Sequence, residues 1–300
     1  MSRRLADPRL LLIAAAASWG TSTVTSKYAL GGLTSTDLVG VEVGVAAVLL
    51  LSAAAWRGAL RPTRNWPAYA ALAFFEPGLT FALFNAGLIH TSATDGALLV
   101  SLESLFAVLL AVVLLRERAN ALFFVAAALG FGGAALVSLE GGSTSASIGG
   151  DLLVIASAVT AAAYAVLARR VSGRDAALTV TAYQFGFALL MALPLVLASH
   201  SRLGHASAGH LAAGVATGVL GSAIPFLFYN LAVRSVSASR AAVVLNLIPV
   251  FAVLAAFALL GERPGVPQLV GGALIVAALA LVSGDAPDEA VEPLVSGSRP

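Results

Sequence analysis

Ten apolar stretches follow one another along 300 residues, and no gap between them is wide enough for a soluble domain. A bilayer core takes about 20 apolar residues per helix. Stretches of that size run near 9–29, 37–56, 67–89, 93–115, 121–139, 151–169, 177–198, 211–232, 241–260 and 267–283. The breaks are short and polar, as at Arg61-Pro62-Thr63-Arg64-Asn65 and Gly141-Gly142-Ser143-Thr144-Ser145. Hydrophobic residues make up 59% of the chain, charged residues 11%, and mean hydropathy is +0.94. A soluble domain carries about 25% charged residues, so most of this chain must face lipid. The expected fold class is an all-α membrane protein with ten transmembrane helices.

The same inventory excludes several chemistries. A net charge of +2 argues against a nucleic-acid partner. The absence of cysteine removes disulfides, thiol catalysis and cysteine-based metal centres. His200, His205 and His210 stand five apart in a polar stretch and read as a hydrated loop rather than a metal site. No P-loop pattern supports ATP hydrolysis, and neither paired intramembrane aspartates nor a zinc motif supports an enzyme. No cofactor is called for. The first apolar stretch follows Arg3 and Arg4 like a signal peptide. Ser18-Trp19-Gly20 and a polar run offer no cleavage site, so it reads as a retained span. Residues 284–300, with four acidic residues beside Pro287 and Pro293, read as a disordered cytoplasmic tail.

Basic residues set the orientation. With a cytoplasmic N-terminus and ten spans, 14 Arg fall on the inner side, and only Lys27, Arg202 and Arg263 fall on the outer side. Both termini are then cytoplasmic.

Sliding the chain on itself by 145 residues aligns Ser92–Ser138 with Ser237–Ser283 without a gap, giving 20 identities in 47 positions. Phe106-Ala107-Val108-Leu109 meets Phe251-Ala252-Val253-Leu254, and Glu117-Arg118 meets Glu262-Arg263. The same offset pairs Phe81 with Phe226 and Asn85 with Asn230. The chain therefore reads as two five-helix repeats, 9–139 and 151–283. Because five is odd, the repeats insert in opposite directions. Many transporters build two interconvertible states from such inverted repeats around a central cavity.

Several motifs resemble the EamA-type family of the drug/metabolite transporter superfamily. They are Ser18-Trp19-Gly20 followed by Lys27-Tyr28, the paired Leu114-Leu115-Arg116-Glu117-Arg118 and Leu259-Leu260-Gly261-Glu262-Arg263, and Asn246-Leu247-Ile248-Pro249-Val250-Phe251. The likeness spans residues 10–283. It implies ten helices around a central cavity lined mainly by spans 1, 3, 4, 6, 8 and 9. It also implies export of amino acids, metabolites or drugs across a bacterial plasma (inner) membrane. An importer of the same superfamily and a non-transporting scaffold or receptor are the alternatives. Ser104 departs from the family pattern. It stands where relatives often carry proline and aligns with Pro249, so a hinge is expected in span nine and less firmly in span four.

Ionisable groups at membrane depth are costly, about 2.5–3.5 kcal/mol on insertion scales, and are functional candidates by default. Glu103 and Glu76 fall near the middle of spans four and three. Glu42 and Asp95 fall toward the outer surface, at depths where they are expected to be solvated. Their repeat partners are Ile248, Gly221, Phe187 and Arg240, so the acids are not symmetric. Glu103 is the first choice, either to bind a substrate ammonium or to take up a coupling proton. Lys27, the only Lys, is expected to pair with Glu42 or Asp95, to meet a substrate carboxylate, or to snorkel to the interface. Trp19, Tyr164, Phe81, Asn85, Phe226, Tyr229, Asn230 and Asn246 are expected to complete a binding surface for a small-molecule substrate. Glu103, Asp95, Glu42, Glu117, Glu262 and Pro249 are the gating or coupling candidates.

Reporter fusions test the topology. A reporter after Arg116 is expected to read cytoplasmic and one near Gly142 external. The same side for both would defeat the ten-span count.

Overall fold

The computed structural model describes residues 7–115, 121–140, 145–171, 173–232 and 244–284. Every regular element among them is helical. The helices are α1 (Pro8–Ala29), α2 (Ser35–Trp56), α3 (Trp66–Ala73), α4 (Thr80–Leu88), α5 (Ala93–Val100), α6 (Glu103–Leu115), α7 (Ala121–Glu140), α8 (Ser145–Val171), α9 (Ala177–Ala198), α10 (Ala208–Thr217), α11 (Ile224–Ala232), α12 (Ile248–Ala255) and α13 (Val266–Gly284). Their starts carry the expected caps. Asp7 accepts from Arg9 N ahead of Pro8, Thr34 and Asp37 form a reciprocal capping box, and Ser92 accepts from Asp95 N.

Five helical segments are long and apolar enough to cross a membrane: Ser35–Trp56, Trp66–Leu88, Ile148–Ala168, Ala177–Ala198 and Ala208–Ala232. Phe124–Val137, Ile248–Leu260 and Val266–Leu281 are shorter apolar helices. Two expected spans differ from simple apolar rods. α1 has the length, but it carries Ser18, Ser22, Thr23 and Ser26, all buried, so protein rather than lipid surrounds that face. The fourth stretch is not one helix. It stops at Val100 and restarts at Glu103, across a turn at Ser101–Leu102 where Ser101 Oγ donates to Leu98 O at 2.6 Å.

The spans bend where the backbone changes register. Between α3 and α4 lies a widened π-type segment, Phe74–Leu79, within which Glu76 leaves helical geometry (φ −143°, ψ 123°). A second widened segment, Gly218–Ala223, joins α10 to α11. α12 follows a turn at Asn246–Leu247, which the 145-residue offset maps onto Ser101–Leu102. The span-four hinge therefore forms without proline. A serine that bonds back to an upstream carbonyl is enough to end the first half-helix. In span nine, Pro249 sits in the first turn of α12, where no intrahelical N–H is needed.

α2 packs on α9, with Gly40 against Val196, Gly44 against Leu189 and Leu51 against Gly186. α7 packs on α13, with Gly130 against Ala278, Gly133 against Leu274 and Val137 against Gly271. In both pairs one set of numbers rises as the other falls, so the helices are antiparallel. A Cβ built on Gly133 would lie 2.5 Å from Gly271 O, and one on Gly271 equally close to Gly133 O, so these backbones touch. α1 runs through the middle of the bundle, against α10, α11 and α12. A Cβ on its Gly20 would meet Ile248 O at 2.7 Å, so only glycine lets α1 approach the first turn of α12 this closely.

One end is tied by Asp175, in the connection between α8 and α9. Its Oδ2 accepts from Thr63 Oγ1 (2.8 Å), Asn65 Nδ2 (3.0 Å) and Tyr69 OH. Partial burial pushes its carboxyl up, but the bonds from Asn65, Tyr69 and Thr63 outweigh burial and hold it below its ordinary value. Its stabilising effect is full above the ordinary carboxylate value of 3.8 and fades as pH falls through the depressed native value. Asp175→Asn is expected to cost about 2 kcal/mol, since bonds to a charged acceptor are among the stronger ones. Thermal unfolding at neutral pH measures it, and an unchanged midpoint would show that the tie is slack.

Candidate functional site

The acids of the first half converge from three spans. Glu42 comes from α2, Glu76 from the widened segment after α3, and Glu103 from the first position of α6. Glu103 and Glu42 are the charged groups that Glu76 senses. Glu42 Oε2 accepts from Asn85 Nδ2 at 3.4 Å and Oε1 from Ser222 Oγ at 3.1 Å. Gln184 on α9 donates Nε2 to Glu76 O at 2.7 Å, satisfying a carbonyl in the loosened backbone. Tyr164 on α8 lies within electrostatic reach of Glu76, Glu103 and Tyr229.

An aromatic layer adjoins the acids. Phe226 is its hub, 1% exposed, with ring centroids 5.4 Å from Trp19, 6.1 Å from Tyr164, 6.3 Å from Phe81 and 5.2 Å from Phe185. Trp19 also leans on Tyr229 at 6.0 Å. Trp19, Tyr229, Glu76 and Glu103 are half-buried, whereas Phe81, Tyr164, Phe226, Asn85 and Glu42 are buried. Asn230 turns away to α9, donating Nδ2 to Thr181 Oγ1 at 2.9 Å. Asn246 occupies the turn ahead of α12, and Pro249 is buried beneath it.

A second polar group gathers where α4 ends and α5 begins. Lys27 Nζ donates to the carbonyls of Leu88 (2.7 Å) and Thr91, closing the open C-terminal end of α4. Glu262 does the reverse for α5. Its Oε1 accepts from Ala93 N at 2.9 Å, and its Oε2 from Thr94 N at 2.9 Å and Thr94 Oγ1 at 2.7 Å. Gln268 Nε2 donates to Asp95 Oδ1 at 2.7 Å, and Thr91 Oγ1 donates to Asp151 Oδ1 at 2.6 Å. A pocket of about 160 Å³ opens beside Glu262, lined also by Ser92, Thr94, Arg263, Pro264 and Gln268.

These positions correct three expectations. Glu42 and Asp95 are not solvated: they are 5% and 0% exposed, because α4 and the Gly218–Ala223 segment cover the first, and α13 covers the second through Gln268. Lys27 does not pair with Glu42, whose oxygens serve Asn85 and Ser222, and its ammonium is bonded to backbone carbonyls instead. Nor does it hydrogen-bond Asp95, whose Oδ1 serves Gln268 and whose Oδ2 meets no donor. Glu117 lies outside the described residues. Sequence reasoning missed Gln184, Ser222, Asp151 and Gln268. A lone amide inside the apolar stretch 177–198 marks Gln184, but nothing in the sequence singles out Ser222.

The breaks at Ser101–Leu102 and Asn246–Leu247 lie at repeat-related positions, and comparison with known proteins places the chain in a family. The model of the EamA-like transporter family matches residues 9–139 and 148–284. The chain belongs to this family. A probable terminal-alkyne amino-acid exporter of Streptantibioticus cattleyicolor is 31% identical, over 91% of this chain and 92% of its own length. An uncharacterized transporter of Bacillus subtilis is 26% identical, over 86% and 88%. One solved crystal structure superposes with a TM-score of 0.66 at 21% identity, covering 91% of this chain and 95% of that one, which speaks for the fold alone. This EamA-like chain is thus a multi-pass membrane transporter.

The Glu262 contact joins the two halves of the sequence at a helix start, and its strength is measurable. Glu262→Ala strips all three donors and is expected to cost about 1–3 kcal/mol of stability, with Glu262→Gln roughly half as severe because one acceptor oxygen stays. Melting of the purified variants in detergent decides it, and an alanine variant that melts with the wild type would sink the contact.

Proposed function

We propose that this EamA-like protein is a secondary transporter that exports small metabolites, amino acids or related amphipathic solutes, by alternating access. The observation that carries the reading is the pair of helix breaks, Ser101–Leu102 and Asn246–Leu247, at repeat-related positions with Glu103 directly after the first. Interrupted helices near the midplane are where transporters place solute and coupling-ion sites. The antiparallel pairs α2 with α9 and α7 with α13 support two inverted repeats, 9–139 and 151–283, meeting across these contacts. The amino-acid exporter named above supports the substrate range and the outward direction.

In this reading Glu103, Glu76, Trp19, Tyr229 and Asn246 face the solute in a central cavity. Glu42, Asn85, Phe81, Tyr164, Phe226 and Asn230 hold that face in place. Lys27 and Asp95 belong to the outer closure with Glu262, which grips the start of α5 in the outward-closed state and releases it in the other, while Pro249 serves the hinge. The chain acts without catalysis, and the gradient driving it is coupled through Glu103. The arginine distribution puts both termini on the cytoplasmic side of a bacterial inner membrane.

Glu103 is the test. Its repeat partner is the apolar Ile248, so shape alone does not demand a carboxyl there. Glu103→Gln keeps the size and a hydrogen-bond donor. It is expected to stay folded and inserted while transport falls at least about tenfold, equal to about 1.4 kcal/mol. If Glu103 carries the coupling proton, exchange between two substrate pools survives while pH-driven accumulation is lost. If it holds a cationic group, both fall. The measurement is flux in proteoliposomes with and without a pH gradient, beside a thermal-stability control. Wild-type flux in both modes would reduce Glu103 to a packing residue.

A further inference from the structure

The central site is rich in acids and poor in cationic side chains. Glu76 and Glu103 supply four carboxyl oxygens, and Glu42, whose own two serve Asn85 and Ser222, stands behind them. The stretches that carry them, 35–56, 66–88 and 93–115, contain no Lys, Arg or His. Two amides sharpen the imbalance. Asn85, 1% exposed, spends its Nδ2 on Glu42 and leaves Oδ1 without a partner. Gln184, fully buried, spends its Nε2 on Glu76 O and leaves Oε1 without a partner. On each amide one N–H is spent within the site and the carbonyl oxygen is left over, which suits a ligand that brings N–H groups. An ammonium brings three donors and no acceptor, whereas a carboxylate brings only acceptors.

The two helix starts at this depth offer an anion little. α6 opens on its own acid, Glu103, which occupies the positive end of the helix. α12 has Pro249 in its first turn, which removes one of the free N–H groups, and Gly20 of α1 is packed against Ile248 there. Trp19 and Tyr229 add half-exposed ring faces 6.0 Å apart, a surface for the apolar body of a cation. Lys27 sits in the second polar group, its ammonium bonded to the Leu88 and Thr91 carbonyls and near Asp95 and Glu262 rather than the central acids.

We propose that the substrate class of this site is the amphipathic primary amine: the ammonium is read by Glu76 and Glu103, and a carboxylate on the same solute weakens binding rather than aiding it. This rests on the location of the solute site given above but not on transport itself. Amino acids then enter as amines with a tolerated acid group, and their decarboxylated counterparts bind more tightly.

Binding to purified full-length protein tests it. Trp56 and Trp66 are exposed at 85% and 54%, so a Trp56→Phe/Trp66→Phe background leaves Trp19 as the reporter. The probes share one ring and differ in charge: phenethylamine, phenylalanine and 3-phenylpropionate, with tryptamine, tryptophan and indolepropionate as a second set read by thermal shift. Each amine is expected to bind at least about tenfold tighter than its matched carboxylate, with the amino acid between them. Glu76→Gln and Glu103→Gln are expected to weaken the amines by a similar factor and to leave the carboxylates unchanged or improved. A carboxylate or amino acid that binds as tightly as its matched amine overturns the class, and so does the absence of binding by every amine. Amines that bind but show no saturable flux in proteoliposomes sink the transport reading and leave the binding class standing.

Discussion

The governing constraint is that hydrocarbon leaves no backbone N–H or C=O unpaired. This chain nevertheless opens its helices inside the bundle, and at four places a side chain from another element meets the opening. Gln184 takes up the Glu76 carbonyl in the first widened segment, and Ser18 donates to Leu220 O (2.7 Å) in the second. Lys27 closes the end of α4, and Glu262 the start of α5. These bonds tie α9 to the Phe74–Leu79 segment, α1 to the Gly218–Ala223 segment and to α4, and the segment before α13 to α5. The irregular backbone and the packing of the bundle are one problem solved together.

That coupling explains the character of α1. Its polar residues look misplaced in a span, yet Ser18 and Thr25 spend their hydroxyls on Leu220 and Thr217. Its Gly20 brings the backbone against the break ahead of α12. A helix that services two irregular regions must be polar and must sit inside. α1 thus touches both irregular regions, and its Trp19 packs on the aromatic hub at Phe226.

The asymmetry of the acids has a similar origin. The repeats share breaks, widened segments and glycine contacts, because those make the scaffold. Glu42, Glu76 and Glu103 have no acidic counterparts, so the charge is carried by one half of the sequence. The acids stand apart in sequence, and only the packing of spans two, three and four brings them within reach of one another.

Much was legible in the sequence because lipid makes the rules severe. Spans of about 20 residues, an internal repeat and charges at depth identify the fold class, the family likeness and Glu103, Glu76 and Trp19 as site candidates. They do so because period, length and cost are local properties. Partnership is not local. That Lys27 would end on carbonyls rather than on Glu42, that Asp95 would be sealed by Gln268, and that Ser222 would serve Glu42 follow from which helices face which. The sequence determined that the membrane would hold these residues and at what depth. Only the tertiary structure decided which oxygen meets which hydrogen, because a hydrogen bond between spans depends on the rotation and tilt of both helices, and neither is written in one of them alone.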